Sequence, residues 1–540
     1  MSNYPQGSDP AEVIIIGGGI AGIVCALELL EAGRRVLLLD RDDEESFGGL
    51  AKESFGGMFF VDTPEQRRAK VADSVDLALA DWHAFAEFDA EDHWPRRWAE
   101  YYVQHCTARG YHWLKSLGVR FFPVPHWVER GLHARGNSVP RFHLVWGTGQ
   151  RLVEVLARRL LAHPQRARLE LRFGHRVERL LTHNAAVTGC AGRSETQGAA
   201  FEAHGECVVI AAGGANGAIE RVKANWHRDW GTPPATILNG SHRYADGRLH
   251  DAAGALGARV THMDRMWNYA AGVHHFRPRK PGHGLSLVPP RSALWLDARG
   301  ERILPPLVTG FDTRDLVTQL STRPGGYSWQ LLNRRIALKE LAVSGAEFNP
   351  SIRERRWLAF LRDLVLGNRW LVDTLTENCV DFVQADSIEA LVDKMNALAG
   401  SAAIDAARLR TTVERYDAAV AHGAPWQDEQ LQRIDAMRAY RGDRIRTARS
   451  QRILEPAALP LIAIREFVIS RKSLGGLQTD LACRVLDASG APIDGLYAIG
   501  EAAGFGGGGV HGLRALEGTF LGACVLTGRA AAAAIAKPGT

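Results

Sequence analysis

The chain has 540 residues and carries 65 Lys and Arg against 60 Asp and Glu, a formal net charge of +5. With 46% apolar, 23% charged and 8% aromatic residues, it is not a disordered, collagen-like or coiled-coil chain, and so slight a charge bias argues against a nucleic-acid partner. The length allows two large or three or four smaller folding units, no apolar run reaches the roughly 18 residues of a membrane span, and the polar stretch Met1–Glu12 shows no secretory leader.

The first predicted element is Val13–Ile16, a short β-branched run expected as a buried parallel strand. It leads straight into Gly17-Gly18-Gly19-Ile20-Ala21-Gly22. An amphipathic pattern from Ile20 to Ala32 predicts a helix that stops at Gly33. Arg35–Leu39 predicts a second strand, ending at Asp40. Gly17, Gly19 and Gly22 thus stand at GxGxxG spacing between strand and helix, with an acid 18 residues after Gly22. Gly17 permits a tight turn, Gly19 lets backbone approach a pyrophosphate, and Gly22 lets helix and strand pack closely. The helix N-terminus offers amides and partial positive charge, and Asp40 can accept from a ribose hydroxyl. The pattern predicts dinucleotide binding but does not separate FAD from NAD.

Four further segments follow in chain order. Residues 48–57 read GGLAKESFGG, a second glycine-rich stretch. Residues 207–214, CVVIAAGG, predict a strand ending in small residues. Residues 494–501, DGLYAIGE, predict another. GFGGGGVHG then leads to a long small-residue helix ending near Ala536. Between these, residues 63–90 look helical with Thr63 as a cap, and Pro123–Gly149 reads as a loop dense in His and Trp. Residues 433–452 hold seven arginines (Arg433, Arg438, Arg441, Arg444, Arg446, Arg449, Arg452), read as a solvated helix face or as a patch for a membrane surface or acidic partner. No internal repeat is visible.

In the order and spacing of these segments, the sequence resembles the flavoproteins of the fumarate reductase/succinate dehydrogenase and 3-ketosteroid Δ1-dehydrogenase superfamily. The resemblance spans both ends of the chain and is weakest in the middle. It implies an α/β fold: a Rossmann-like FAD-binding domain of glutathione reductase type, with an inserted α+β capping domain. The FAD-binding domain is then discontinuous, 10–270 and 456–540, with the cap at 271–455. Tyr244–Val260 corresponds to the helix that closes its first part. By the same resemblance, Gly17, Gly19, Gly22 and Asp40, with the adjoining Ile20, Ala21 and Arg41, hold the ADP half of FAD. Gly48 and Gly49 meet the pyrophosphate, and Ser54, Gly56 and Gly57 approach the flavin ring. Val177, Ala211, Ala212 and Gly213 belong to the adenosine side, and Gly500 and Glu501 to the ribityl chain. The amides near Ala515 and Leu516, opening the last helix, face the flavin N1/O2 edge, where a helix N-terminus stabilises reduced flavin. Membrane-bound fumarate reductases link FAD through a histidine; Leu50 stands there, so noncovalent FAD is expected.

A flavin dehydrogenase needs a carbon facing the flavin N5 and a protein group that handles the proton on the adjacent carbon. The family's proton-donating arginine falls on Arg314 in GERILPPLVTGFDTRD, although an Arg-Asp pair also suits a helix start, and an always-charged guanidinium needs strong local help to release a proton. His275, in HHFRP, lies loosely where fumarate reductases have a substrate-binding histidine. SRKSLGG places Arg471 and Lys472 where the family has a histidine pair, and HGLRALEG shifts the carboxylate-binding arginine to Arg514. The dicarboxylate clamp therefore does not transfer intact. Arg471, Lys472 and Arg514 are candidates either for an anionic or carbonyl oxygen, or for FAD phosphate and Glu517. Ketosteroid dehydrogenases use tyrosines; Tyr269 and Tyr327 are available but read as core aromatics. Trp127, Trp146, Trp267, Trp295 and Trp329 either line a cleft for a large apolar substrate or pack the core.

The reading is an FAD-dependent dehydrogenase acting on a CH–CH bond beside a carbonyl, in a 3-ketosteroid-like desaturation. The alternatives are an ene-reductase with Arg314 as acid, and a non-catalytic flavin protein. No second strand–GxGxxG–helix unit appears for a nicotinamide, so the expected partners are a small carbonyl substrate and an external electron acceptor or donor. The seven cysteines are scattered with no CxxC, CxxCH or iron–sulfur spacing, which gives no metal site and fits reduced thiols in a cytoplasmic protein.

Overall fold

The computed structural model describes residues 11–537; the expected start of the flavin domain at residue 10 lies outside them. One six-stranded sheet runs in the order Arg484–Leu486, Pro492–Ala498, Cys207–Ile210, Val13–Ile16, Val36–Leu39, Leu169–Arg172. Its pairs are parallel except the first, and Val13 stands opposite both Val36 and Cys207. Three of these strands are unbroken apolar runs, buried at every position, as a sheet covered on both faces requires.

Helices Ile20–Glu31 and Thr519–Ile535 pack together against this sheet. Glycine permits the approach: a Cβ on Gly22 would stand 2.1 Å from the Gly17 carbonyl oxygen, and one on Gly528 would stand 2.7 Å from that of Ala21. An antiparallel meander, His175–His183, Ala186–Ser194 and Ala200–His204, adjoins the sheet.

The second large sheet has eight strands, and Leu461–Ser473 is its spine. That strand pairs with Ser328–Asn333, Met266–His274, Leu238–Asn239 and Phe382–Ala385. Helices of the 313–438 region surround it. The fold is the expected α/β nucleotide-binding layer with a mixed second unit. Strands Met266–His274 and Leu461–Ser473 come from the two sides of the expected insertion and meet in this second sheet.

Several elements differ in extent from the sequence reading. Thr63 caps a helix through a capping box, but that helix ends at Arg68. Lys70 is left-handed, and a new helix, capped by Ser74, covers Val75–Ala86. The loop 123–149 contains a strand, Phe142–Leu144, paired with Gly57–Phe59. The helix expected over Tyr244–Val260 covers only Arg248–Gly254; Gly257 turns the chain at φ +88°, and Val260–Thr261 joins a two-stranded sheet. The last helix opens at Thr519, after Gly518 at φ +98°, and not at Ala515. Among the described residues, no helix is long and apolar enough to cross a membrane.

Candidate active site

A cavity of about 400 Å³ is lined by residues of both large sheets. Its first wall is built where strand Val13–Ile16 meets its helix. Gly17 turns the chain at φ +115°, and a Cβ there would lie 2.3 Å from the Ala211 carbonyl oxygen. Around Gly19 nothing lies within 4 Å of a Cβ position, so its open side faces the cavity. Gly19 is also the N-cap and has no side chain to cap with. The first-turn amides of Ile20 and Ala21, both lining the cavity, are thereby left for an anionic ligand.

The Asp40 carboxylate grips this loop. It accepts from the Gly18 amide at 2.6 Å and from the Asp42 amide at 2.7 Å. Burial pushes its carboxyl above the ordinary range, and these amides oppose that shift. Beside it, Arg41 stacks 4.1 Å over the Tyr244 ring and pairs with Glu195 and Asp246 at 2.6 and 2.8 Å. Val177, Ala211, Ala212 and Gly213 extend the same wall. Gly213 is as open as Gly19.

Gly48, Gly49, Leu50, Ser54, Gly56 and Gly57 form the opposite edge. Gly48 and Gly56 sit at positive φ, and a Cβ would reach Val153 at 2.2 Å or the Gly149 amide nitrogen at 2.7 Å. Gly500 and Glu501 close the far side. Glu501 accepts from the Ser473 amide at 3.0 Å, and burial pushes its carboxyl up. A stacking surface, open glycines, uncapped helix amides and a second glycine pair follow one another along one cavity. That donor set fits a dinucleotide such as FAD.

Three expected cofactor residues are not in the lining. Gly22 serves helix–strand packing, and Ala515 and Leu516 are buried ahead of the last helix. Glu517, Phe520, Leu521 and Cys524 take the lining positions there.

In the next wall, the sequence singles out Arg471 and Lys472, whereas Tyr269 reads there as a core aromatic and Glu517 only as a nearby acid. Tyr269 Oη donates to Glu517 Oε2 at 2.8 Å, and Trp267 Nε1 donates to the same oxygen at 2.8 Å. Burial, then the Glu517 carboxylate, push the Tyr269 phenol well above its ordinary range, so it keeps its proton. Lys472 Nζ lies 4.1 Å over the Phe520 ring and 5.8 Å from the Tyr269 ring. Burial holds its amine below the usual lysine range. Arg471 Nη1 donates to the Gly240 carbonyl at 2.6 Å, while its Nε, also buried, has no partner. The signal for Glu517 was its place immediately before Gly518, which opens the last helix.

The other proposed catalytic residues lie elsewhere. Arg314 is buried outside the cavity lining, bonded to Asp229 and His227, each at 3.1 Å, with its guanidinium 5.4 Å over the Trp230 ring. His275 stacks on His283 at 4.3 Å and faces Glu347 at 3.3 Å. Arg514 is held between Asp312 at 3.0 Å and Glu87 at 2.6 Å. Each is paired with protein groups, and none lines the cavity. Trp127, Trp146, Trp267, Trp295 and Trp329 are likewise absent from the lining. Tyr327 packs against Trp329 and Phe467.

The cavity is also lined by Ser286, Leu287, Val288, Pro289 and Arg291, by Thr309, Gly310, Thr313 and Leu316, and by Asp443 and Arg446. Here Glu129 accepts from the Thr313 amide at 3.0 Å and the Thr313 hydroxyl at 2.5 Å. Burial, reinforced by Asp312, pushes Glu129 up to about 8. Away from the cavity, Asp89, Asp92 and His262 cluster, but Arg265 donates to both acids.

The FAD binding domain family matches residues 12–521. A KsdD-like steroid dehydrogenase of Mycobacterium tuberculosis (strain CDC 1551 / Oshkosh) is 43% identical over 98% of this chain and 97% of its own. Among solved structures, a 3-ketosteroid delta1-dehydrogenase from Sterolibacterium denitrificans superposes with a TM-score of 0.68 at 18% identity, covering 98% of this chain and 100% of its own. A flavocytochrome c3 fumarate reductase does so at 0.68 and 21%, covering 98% and 79%.

Proposed function

The chain belongs to the FAD binding domain family, and from that premise we propose that it desaturates a CH–CH bond beside the carbonyl of a ring ketone of 3-ketosteroid type. It is an FAD-dependent oxidoreductase. The observation that carries the reading is the Tyr269–Glu517 hydrogen bond of 2.8 Å in the wall of the cavity that the dinucleotide cradle also lines. The steroid dehydrogenase relative at 43% identity supports the substrate class.

Bound FAD supplies a two-electron hydride acceptor. The protein's part is to hold the ketone and move one proton. Arg471 and Lys472 present cationic N–H donors to the substrate carbonyl oxygen, which acidifies the adjacent C–H. Tyr269 Oη takes the proton from that carbon as its own proton passes to Glu517 Oε2. Trp267 fixes the carboxylate by donating to the same oxygen. A phenol that is too basic to ionise in advance serves this concerted transfer, because its oxygen gains a proton as it loses one.

Gly17, Gly19, Ile20, Ala21, Asp40, Arg41, Gly48 and Gly49 would hold the ADP and pyrophosphate portion. Ser54, Gly56, Gly57, Gly500 and Glu501 would hold the flavin end. FAD is bound noncovalently, Leu50 having no nucleophile to offer. The chain divides into a nucleotide-binding part, 10–270 and 456–540, and a cap, 271–455. The seven free cysteines suit a reducing cytoplasm, and electrons leave to an external acceptor.

The test is an anaerobic visible spectrum of the purified holoprotein titrated with a 4-ene-3-ketosteroid, then with an activated alkene after chemical reduction. Bleaching by the ketosteroid supports the proposal. Reoxidation by the alkene without bleaching by any ketosteroid gives the reverse reaction, and a flavin inert to both sinks the enzymatic reading.

A further inference from the structure

We propose that the part of the cavity lined by Arg446 is a carboxylate-binding subsite with that arginine as its recognition residue, so that the substrate is a ring ketone that also bears an anionic group. This rests on the substrate class proposed above and narrows it.

In the arginine-rich run 433–452, Arg441, Arg444, Arg449 and Arg452 are exposed, as on a solvated face, while Arg433, Arg438 and Arg446 are half-buried. Arg433 donates to the Pro306 carbonyl, Arg438 to the carbonyls of Arg444 and Thr447, Arg444 back to those of Arg438 and Ala439, and Arg452 pairs with Glu455. Arg446 is different. It is half-buried and lines the cavity, and its guanidinium has no hydrogen bond or ion pair with any described residue.

The neighbouring acids are already committed. Asp443 is shared by Arg130 and by Arg291, the latter at 2.8 Å. Arg291 also donates to the Thr447 hydroxyl at 2.6 Å. The Glu340 carboxylate accepts from the Ser292 amide and hydroxyl, at 3.0 and 2.7 Å, and from the Ala448 amide at 2.6 Å. Three guanidinium groups therefore face two carboxylates, and only Arg446 lacks a partner. Burial and the like charge of Arg291 lower its proton affinity, as expected where positive charge is in excess.

The remaining titratable groups of this part of the cavity do not supply the missing anion. Burial, then Arg446 itself, push His126 down to about 4, leaving it neutral. Glu129, raised to about 8, is mostly protonated at neutral pH and is engaged with Thr313. The same lining also carries the apolar residues Leu287, Val288, Pro289 and Leu316. An enclosed guanidinium without a counter-charge is costly to hold. A bound carboxylate completes it through charge-assisted, bidentate hydrogen bonds.

The experiment compares a 4-ene-3-ketosteroid whose side chain ends in a carboxylate with its methyl ester, on wild-type holoprotein, Arg446→Met and Arg446→Lys. Two readouts are taken: kcat/KM for flavin reduction, and Kd by calorimetry under anaerobic conditions. Expected is a preference for the acid of about tenfold or more in wild type, a ratio near one in Arg446→Met, and partial recovery in Arg446→Lys. Acid and ester equal in wild type overturns the proposal, as does an undiminished preference in Arg446→Met. Should Arg446→Met fail to retain FAD, the wild-type ratio and the Lys variant still decide. If neither compound is oxidised, the proposed reaction fails, while the Kd ratio of acid to ester still reads the subsite.

Discussion

Tyr269 and Glu517 lie 248 positions apart and meet at 2.8 Å, one from a strand of the second sheet and the other from the turn that opens the last helix. Both residues line the same cavity, so the contact joins the second sheet to the start of the last helix across it. Its chemistry can be tested by subtraction. Tyr269→Phe leaves the ring and removes the hydroxyl. Flavin reduction by ketosteroid should slow by about 10²–10⁴, with FAD content and Tm close to wild type. Glu517→Gln should slow the same step by a comparable factor, because the amide still accepts from Tyr269 but cannot take its proton.

Gly19 separates cofactor fit from fold. A Cβ there meets no protein atom within 4 Å and needs no unusual φ. Gly19→Ala should therefore fold normally and lose FAD affinity by about tenfold or more, read by the flavin-to-protein ratio after dialysis, since the methyl enters the space of the pyrophosphate. Gly17→Ala, at φ +115° and 2.3 Å from the Ala211 oxygen, should instead lower soluble yield.

Leu50 lines the cavity, and its side chain has no group that could link to a flavin. Trichloroacetic acid should precipitate colourless protein and leave FAD in the supernatant. A yellow pellet would contradict noncovalent binding.

Arg314 should prove structural. Its partners are Asp229, His227 and the Trp230 ring. Arg314→Ala should retain turnover within about twofold, and lose about 1–3 kcal/mol of stability by orphaning these groups, measured by urea unfolding. A collapse of turnover in a folded, FAD-loaded variant would restore the arginine as proton donor.

Glu129 predicts a pH dependence. Its carboxyl is raised from an ordinary 4.5 to about 8 by burial and Asp312. The folded protein thus holds a proton that the unfolded chain has released. This contribution is fully present below about 4.5 and is lost as pH rises through about 8. Relative to wild type, Glu129→Gln should gain Tm steadily from pH 5 to pH 8 and then level off.

The sequence was most legible where one short segment dictates its own geometry. Strand, glycine turn and helix from Val13 to Glu31 are local, and the turns at Gly17, Gly48 and Gly500 follow from positive φ angles that glycine adopts readily. Arg471 and Lys472 were legible as candidates, but the Tyr269–Glu517 pair was not, because two residues so far apart in the chain meet only in the folded protein. Arg314 misled for the converse reason: its TRD context is local, whereas its partners Asp229 and His227 come from a separate 3₁₀ turn at 227–230. The arginine run 433–452 shows the same limit. Composition marks its charge, but only the tertiary arrangement tells which arginine turns inward.

The strand Leu461–Ser473 sets a mechanical condition on the enzyme. Its first half is hydrogen-bonded to Ser328–Asn333 and Phe382–Ala385, while Ser473 binds the Ala215 amide and the Glu501 carboxylate. One continuous stretch of backbone is thus anchored at both ends, like a beam built into two walls. Any opening that admits a substrate must then come from bending of outlying helices and loops, and trimming by a protease should not release the second sheet as a separate folded piece.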